Sequence, residues 1–115
     1  MRVVVLGLLL IVCLSSQGQD IAPYFTNYLK TDYKGDNSNW DITEHPDGTM
    51  YVANNQNLLS FNGDFWTTYM LPSKGIFRSV NVINDTLYSG SYQQFGYWIK
   101  NHENELVYKS ISNSL

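Results

Sequence analysis

Trp40 and Arg78 are the residues whose chemistry best fits a ligand site. An indole stacks on the apolar face of a sugar ring, and a guanidinium group forms paired hydrogen bonds with a carboxylate or sulfate. Arg78 is the only arginine beyond the N-terminal segment. Its main alternative is a structural ion pair, with Asp41 as one partner. For Trp66 and Trp98 we expect packing between sheets. Trp40 and Arg78 are therefore the candidate ligand-binding residues.

Other polar residues give weaker evidence for a metal or catalytic site. His45 and His102 lie in predicted turns without a third ligand at zinc-binding spacing, so we expect both to be solvent-exposed. Asp32, Asp36 and Asn37 offer oxygens to calcium but lack the alternating ligands that end in a glutamate. We expect a polar loop there. The sequence also has no nucleophile motif, phosphate-binding glycine loop or acid/base pair. We therefore predict no enzymatic activity, no cofactor and no metal.

Composition favours one small, strand-rich unit. The chain has 115 residues, a net charge of −3, and 43% hydrophobic and 15% aromatic residues, nine of them tyrosines. Tyrosine is common in strands, and this hydrophobic content suffices for a core. The basic residues form no cluster, which argues against nucleic-acid binding by this segment.

Residues 1–18 have the organisation of a signal peptide. A basic residue precedes the apolar stretch Val3–Leu14, and small residues near Gly18 suit cleavage before Gln19. The apolar stretch is shorter than the roughly 20 residues of a membrane span. An uncleaved anchor or a buried strand is the alternative. The only cysteine, Cys13, lies in this segment, so we expect a mature chain without disulfides.

The rest of the chain contains a loose repeat. Residues 40–69 are repeated by residues 78–109: Tyr51 and Tyr88 are 37 positions apart, and Ile42 and Val80 are 38 apart. Alternating apolar residues and turn residues predict eight strands. They are placed at 40–43, 49–53, 58–61, 65–69, 77–83, 86–89, 95–99 and 105–109. A period near 40 residues with four short strands is typical of a β-propeller blade.

These patterns predict an all-β chain of about two propeller blades, an incomplete ring, behind the signal peptide. We assign a lead-in loop to 19–39, blade 1 to 40–71, blade 2 to 76–109 and the start of a truncated blade to 110–115. No helix is expected beyond the signal. We also expect a left-handed asparagine in the turn 54–57 and a loop at 90–94.

Two stretches resemble a known family. Residues 54–69 (NNQNLLSFNGDFWTTY) are similar to the two-component regulator propeller repeat, in which a strand ending in aromatic-x-Gly is followed by a tryptophan. Arg78–Val80, Leu87–Gly90 and Gln94–Trp98 resemble the next blade. The resemblance covers residues 24–115. Asn57 stands where these repeats usually carry glycine, and a left-handed turn accepts asparagine there.

The resemblance implies a sensor. In these proteins an exported propeller is followed by a triple-tyrosine domain, a membrane helix and a histidine kinase or LuxR-type helix-turn-helix. We therefore expect an exported module, the periplasmic or extracytoplasmic part of an inner-membrane protein. The expected partners are the remaining blades of the parent chain and an oligosaccharide ligand, and a homodimer stays open. The alternatives are a secreted propeller scaffold or carbohydrate-binding protein without signalling output, and an enzyme whose catalytic residues lie in other blades.

Overall fold

The computed structural model describes residues 1–14, 18 and 22–114. The predicted cleavage site involves Ser16, Gln17 and Gln19, which lie outside the described residues. The elements are helices α1 (Arg2–Leu14) and α2 (Lys30–Tyr33), strands β1 (Asn39–Glu44), β2 (Met50–Asn54), β3 (Leu58–Phe61), β4 (Trp66–Tyr69), β5 (Phe77–Ile83), β6 (Thr86–Ser91), β7 (Gln94–Lys100) and β8 (Leu106–Ser110), and a 3-10 helix (Ser112–Ser114). None of the described helices is long and apolar enough to cross a membrane.

The strands form two four-stranded antiparallel sheets, sheet 1 with the order β1-β2-β3-β4 and sheet 2 with the order β5-β6-β7-β8. This confirms the predicted all-β fold and the two sheets. The loop predicted at 90–94 is shorter, because β6 continues to Ser91 and β7 begins at Gln94. Gln93 has a φ of 56°, which allows a two-residue turn.

The lead-in segment contains a helix where a loop was predicted. The Asp32 carboxylate accepts a hydrogen bond of 2.7 Å from the backbone N–H of Leu29, at the N-terminal end of α2. Lys34 has a φ of 55°, which ends the helix after one turn. The expectation of no helix beyond the signal was therefore wrong, although one turn is too short to show apolar periodicity.

The turn between β2 and β3 also differs from its prediction. No residue from Asn54 to Asn57 has a positive φ, so the expected left-handed asparagine is absent from this turn. The Asn54 side chain shapes the turn instead. Its Oδ1 accepts hydrogen bonds from the backbone N–H groups of Asp36 and Gln56, at 2.9 and 3.0 Å. Its Nδ2 donates to the Asp36 carbonyl at 2.8 Å and to Asn39 Oδ1 at 2.7 Å. Asn54 thereby joins the lead-in segment to sheet 1.

The two sheets repeat each other strand by strand. Tyr51 pairs with Ser60 on the next strand, and Tyr88 pairs with Tyr97 in the same way. The first strands of the two sheets, β1 and β5, each contain a register shift at the same place, between Asn39 and Asp41 and between Phe77 and Ser79. The repeat seen in the sequence is thus also a repeat of the structure, and both copies have a bulge at the same position.

The main core lies between the sheets. It comprises Tyr51, Ala53, Leu58, Leu71, Phe77, Val80, Leu87 and Trp98. Trp98 is buried there, and its Nε1 donates a hydrogen bond of 2.9 Å to Ser89 Oγ. Trp98 therefore has the packing position expected from the sequence. Because each sheet covers one face of the other, burial of apolar surface is the main source of cohesion between them.

A second cluster covers the opposite face of sheet 1. Tyr33 of α2 packs against Val52, Leu59 and Trp66. Tyr28 makes an edge contact with Trp66, at 5.4 Å between ring centroids. Trp66 therefore packs against the lead-in segment and not against another sheet.

Candidate functional site

Trp40 and Arg78 are in contact. The Arg78 Cζ atom lies 4.4 Å from the centroid of the Trp40 ring, which is cation–π geometry. Each is the extra residue of the bulge in the first strand of its sheet. Bulges redirect a side chain away from the regular alternation of a strand. The same distortion in two repeated strands thus places both candidate residues at one edge of the sheet pair.

Trp40 is held by a polar neighbour although half of its surface is exposed. Its Nε1 donates a hydrogen bond of 3.3 Å to Asn55 Oδ1. Asn55 Nδ2 in turn donates to the Asp36 carboxylate at 2.9 Å. This bond, together with one from the backbone N–H of Asn37, lowers the pKa of Asp36. The chain of contacts orients the indole ring, and the part of the ring that Arg78 does not cover stays exposed.

The ion pair considered for Arg78 is not formed. Asp41 Oδ1 accepts a hydrogen bond from the backbone N–H of Ile42 at 2.9 Å, and Oδ2 accepts one from that of Val80 at 3.0 Å. Within the part of the chain that the structure describes, no carboxylate lies at ion-pair distance from Arg78. Asp41 serves to join β1 to β5, and the guanidinium group keeps its hydrogen-bond donors for other partners.

Each member of the pair also borders a cavity. Trp40 borders a mainly apolar cavity of about 510 Å³, whose wall includes Tyr28, Tyr33 and Trp66. Arg78 borders a more polar cavity of about 610 Å³. The walls of the second cavity are Ser73, Lys74, Gly75, Ile76, Arg78, Tyr92, Gln93, Gln94 and Asn113. Both volumes lie within the range of small-molecule sites.

His45 corrects a prediction, because its side chain is partly buried and not solvent-exposed. Its Nε2 lies 3.1 Å from the Asp85 carbonyl oxygen, which fits donation by Nε2–H. Its Nδ1 then accepts a hydrogen bond of 3.1 Å from the backbone N–H of Asp47. His45 connects a turn of sheet 1 to the first turn of sheet 2. Its place is explained by packing between the sheets.

The other polar candidates do not come together. His102 lies exposed in the turn before β8. The Asp32 and Asp36 carboxylates accept hydrogen bonds from backbone N–H groups of their own segment. Among residues 1–14, 18 and 22–114, no group of three or more His, Cys, Asp or Glu side chains is placed to hold a metal ion.

Asn55 and Lys74 were not singled out from the sequence. Asn55 orients Trp40, and Lys74 borders the cavity of Arg78. The 38-residue spacing of Trp40 and Arg78 was the available indication that they occupy equivalent positions. Comparison with known proteins finds no matching family model, curated protein or solved structure.

Proposed function

We propose that the chain is an exported, ligand-sensing β-propeller module of a membrane-spanning protein that transduces signals and regulates transcription. The proposed ligand is an oligosaccharide from outside the cytoplasm, bound at the edge where Trp40 meets Arg78. A half-exposed indole and an arginine without an ion pair suit this ligand class, because aromatic faces stack on sugars and guanidinium groups bind their polar substituents.

The observation that carries the propeller assignment is the unequal burial of equivalent residues. Tyr51 and Leu58, on the face of sheet 1 that contacts sheet 2, are 3% and 0% exposed. Their counterparts on sheet 2, Tyr88 and Phe95, are 37% and 45% exposed. Sheet 2 thus repeats an apolar docking face that is unoccupied among the described residues. A further sheet of the same kind would bury it, as neighbouring blades do in a propeller.

The polar links between the sheets have the same periodicity. Val80 and Val82 donate backbone hydrogen bonds to Asp41 Oδ2 and Thr43 Oγ1, each 39 positions earlier, at 3.0 and 3.2 Å. The register of the strands makes Ser79 and Asn81 the counterparts of Asp41 and Thr43, and both are exposed. Their oxygens can accept the corresponding bonds from a following sheet.

The opposite side of the pair has a matching feature. Ile42 is 60% exposed, whereas its counterpart Val80 is 4% exposed because sheet 1 covers it. The lead-in segment covers Leu59 and Val52 on this face but not Ile42. A preceding sheet, such as the last blade of a closed ring, would bury Ile42. The pair is therefore suited to neighbours on both sides.

The sensor assignment rests on the resemblance to two-component regulator propeller repeats and on the signal-like segment 1–18. Its first test is the coding sequence that follows Leu115 in the same reading frame. A span of about 20 apolar residues followed by a kinase or helix-turn-helix supports the sensor. A surface-attachment tail supports a secreted scaffold instead.

Export is tested by N-terminal sequencing of the protein purified from its native membrane fraction. We expect a mature chain that begins near Gln19. Intact Met1 on a cytoplasmic species would contradict export.

Ligand sensing is tested with the full-length product of the reading frame. We expect binding of an oligosaccharide in a glycan-array screen, and loss of that binding in Trp40→Ala. The absence of binding to every neutral and anionic oligosaccharide would contradict the proposed ligand class.

A further inference from the structure

We infer that the cavity bordered by Arg78 is a subsite for an anionic sugar unit, a uronate or a sulfated sugar, within the oligosaccharide site. This inference rests on the proposed function and adds the charge class of the ligand. It assigns Lys74 and Arg78 to the anionic group, and Trp40 and Tyr92 to the sugar rings.

The charge of the cavity wall is the first argument. Lys74 and Arg78 both border the cavity, and its wall contains no carboxylate. The chain as a whole has a net charge of −3, so the charge of this region is opposite in sign to that of the whole chain. A cavity with two cations and no counter-charge favours an anionic group, because the ligand then supplies the missing partner.

The backbone of Lys74 is held in a turn at the cavity. Its backbone N–H donates a hydrogen bond of 2.9 Å to the Leu71 carbonyl, and its φ is 55°. The same turn is bonded to β7 on the other side of the cavity, since Ser73 Oγ donates a hydrogen bond to Gln94 Oε1 at 2.7 Å. The segment between the sheets and the β6–β7 hairpin are therefore held together, which limits the ordering cost of binding.

The aromatic residues that contact Arg78 or border its cavity are the second argument. Trp40 lies under the guanidinium group at 4.4 Å, and exposed Tyr92 borders the cavity. The indole contacts the guanidinium group through its ring and does not use the guanidinium N–H donors. Those donors can then form a paired hydrogen bond with a carboxylate or sulfate while the rings contact the sugar. A neutral sugar would give neither cation an ionic partner.

Binding by the full-length protein, measured calorimetrically, tests this inference. The probes are an oligogalacturonate and a sulfated heparin oligosaccharide, with a maltooligosaccharide of equal length as the neutral reference. We expect tighter binding of at least one anionic probe, weakening as salt rises. Arg78→Gln should weaken that binding at least tenfold and Lys74→Gln less, while Arg78→Lys should recover part of the loss.

Lys100→Gln is the matched control, because Lys100 borders a different cavity, with His45 and Leu87. It removes the same charge and should leave binding unchanged. A circular dichroism spectrum identical to that of the wild type verifies the fold of each variant, and partial recovery in Arg78→Lys separates lost chemistry from lost structure.

Three outcomes would overturn the inference. Equal or tighter binding of the neutral probe, insensitive to Arg78→Gln, would reject the anionic subsite and leave oligosaccharide sensing standing. Anionic binding that survives the combined Lys74→Gln and Arg78→Gln changes would place the anion elsewhere. An equal loss of anionic-probe binding in Lys100→Gln would show that binding depends on the overall charge of the protein and not on this cavity.

Discussion

Replacement of Asn54 by alanine should release the lead-in segment from sheet 1. The side chain is fully buried and makes hydrogen bonds with Asp36 N–H, the Asp36 carbonyl, Gln56 N–H and Asn39 Oδ1. An asparagine amide can donate two and accept two such bonds, so its capacity is fully used. Asn54→Ala removes all four bonds and adds no new contact.

The size of the effect follows from these contacts. Each hydrogen bond contributes about 0.5–1.5 kcal/mol net. The groups left behind on Asp36 and Asn39 are only part-buried or exposed, so water replaces some of what is lost. We therefore expect about 2–4 kcal/mol, which corresponds to roughly 30- to 700-fold in an equilibrium constant. The loss should be local, because the sheet ladders themselves are unchanged.

Native-state hydrogen exchange, resolved by mass spectrometry of peptides, measures this local opening. Protection in peptides that cover residues 30–39 of the lead-in segment should fall by the stated factor in Asn54→Ala. Gln56→Ala is the matched control: Gln56 is an exposed residue of the same turn, so its replacement should change protection less than about threefold. A change of that small size in Asn54→Ala would refute the anchoring role.

Three further predictions concern other parts of the molecule. Burial raises the pKa of Tyr51 from 10.0 to about 12, so its contribution to stability is lost as pH rises from about 10 to 12. Tyr51→Phe should therefore be less sensitive to alkali in circular dichroism over this window than the wild type and than the exposed control Tyr92→Phe; coincident profiles would contradict this. Asp41→Ala should speed amide exchange of Val80 roughly tenfold, and Asp41→Asn should do so less because it keeps an acceptor; equal exchange in all three proteins would exclude a link between the sheets. Residues 19–115 expressed alone should be partly molten or associated in size-exclusion chromatography, because the outer face of sheet 2 stays exposed, and extension to ring closure should restore a cooperative melt; a monomer with a sharp two-state transition would argue for a complete domain.

The strands were predictable because their determinants are local. Alternation of apolar residues marks β1 and β5, and the pair Asn84 and Asp85 forms the expected two-residue turn, with φ values of 47° and 68°. Helix α2 was missed because a single turn without apolar periodicity depends on one carboxylate cap. Whether so short a segment is helical depends on one side-chain contact, which the sequence pattern does not reveal.

The site was only partly predictable, because its geometry depends on contacts between the sheets. Trp40 and Arg78 were chosen for their chemistry, but their contact requires the same bulge in two strands. The exposure expected for His45 was wrong, since the first turn of sheet 2 lies against it. Asparagine can adopt a left-handed backbone conformation or form side-chain hydrogen bonds to nearby backbone groups. The sequence alone therefore did not show that Asn54 does the latter.

The hydrogen bonds from Val80 and Val82 to Asp41 and Thr43 also bear on how such a chain can grow by gene duplication. In each bond one sheet supplies a side-chain oxygen, and the other supplies a backbone N–H that any residue except proline provides. The bond therefore constrains the residue type on the acceptor side, while the donor side only excludes proline. A segment of one period copied in tandem brings its own acceptors and meets donors that already exist. Such an interface constrains few positions of each copy: Ser79 and Asn81 differ in type from their counterparts Asp41 and Thr43 and still carry side-chain oxygens.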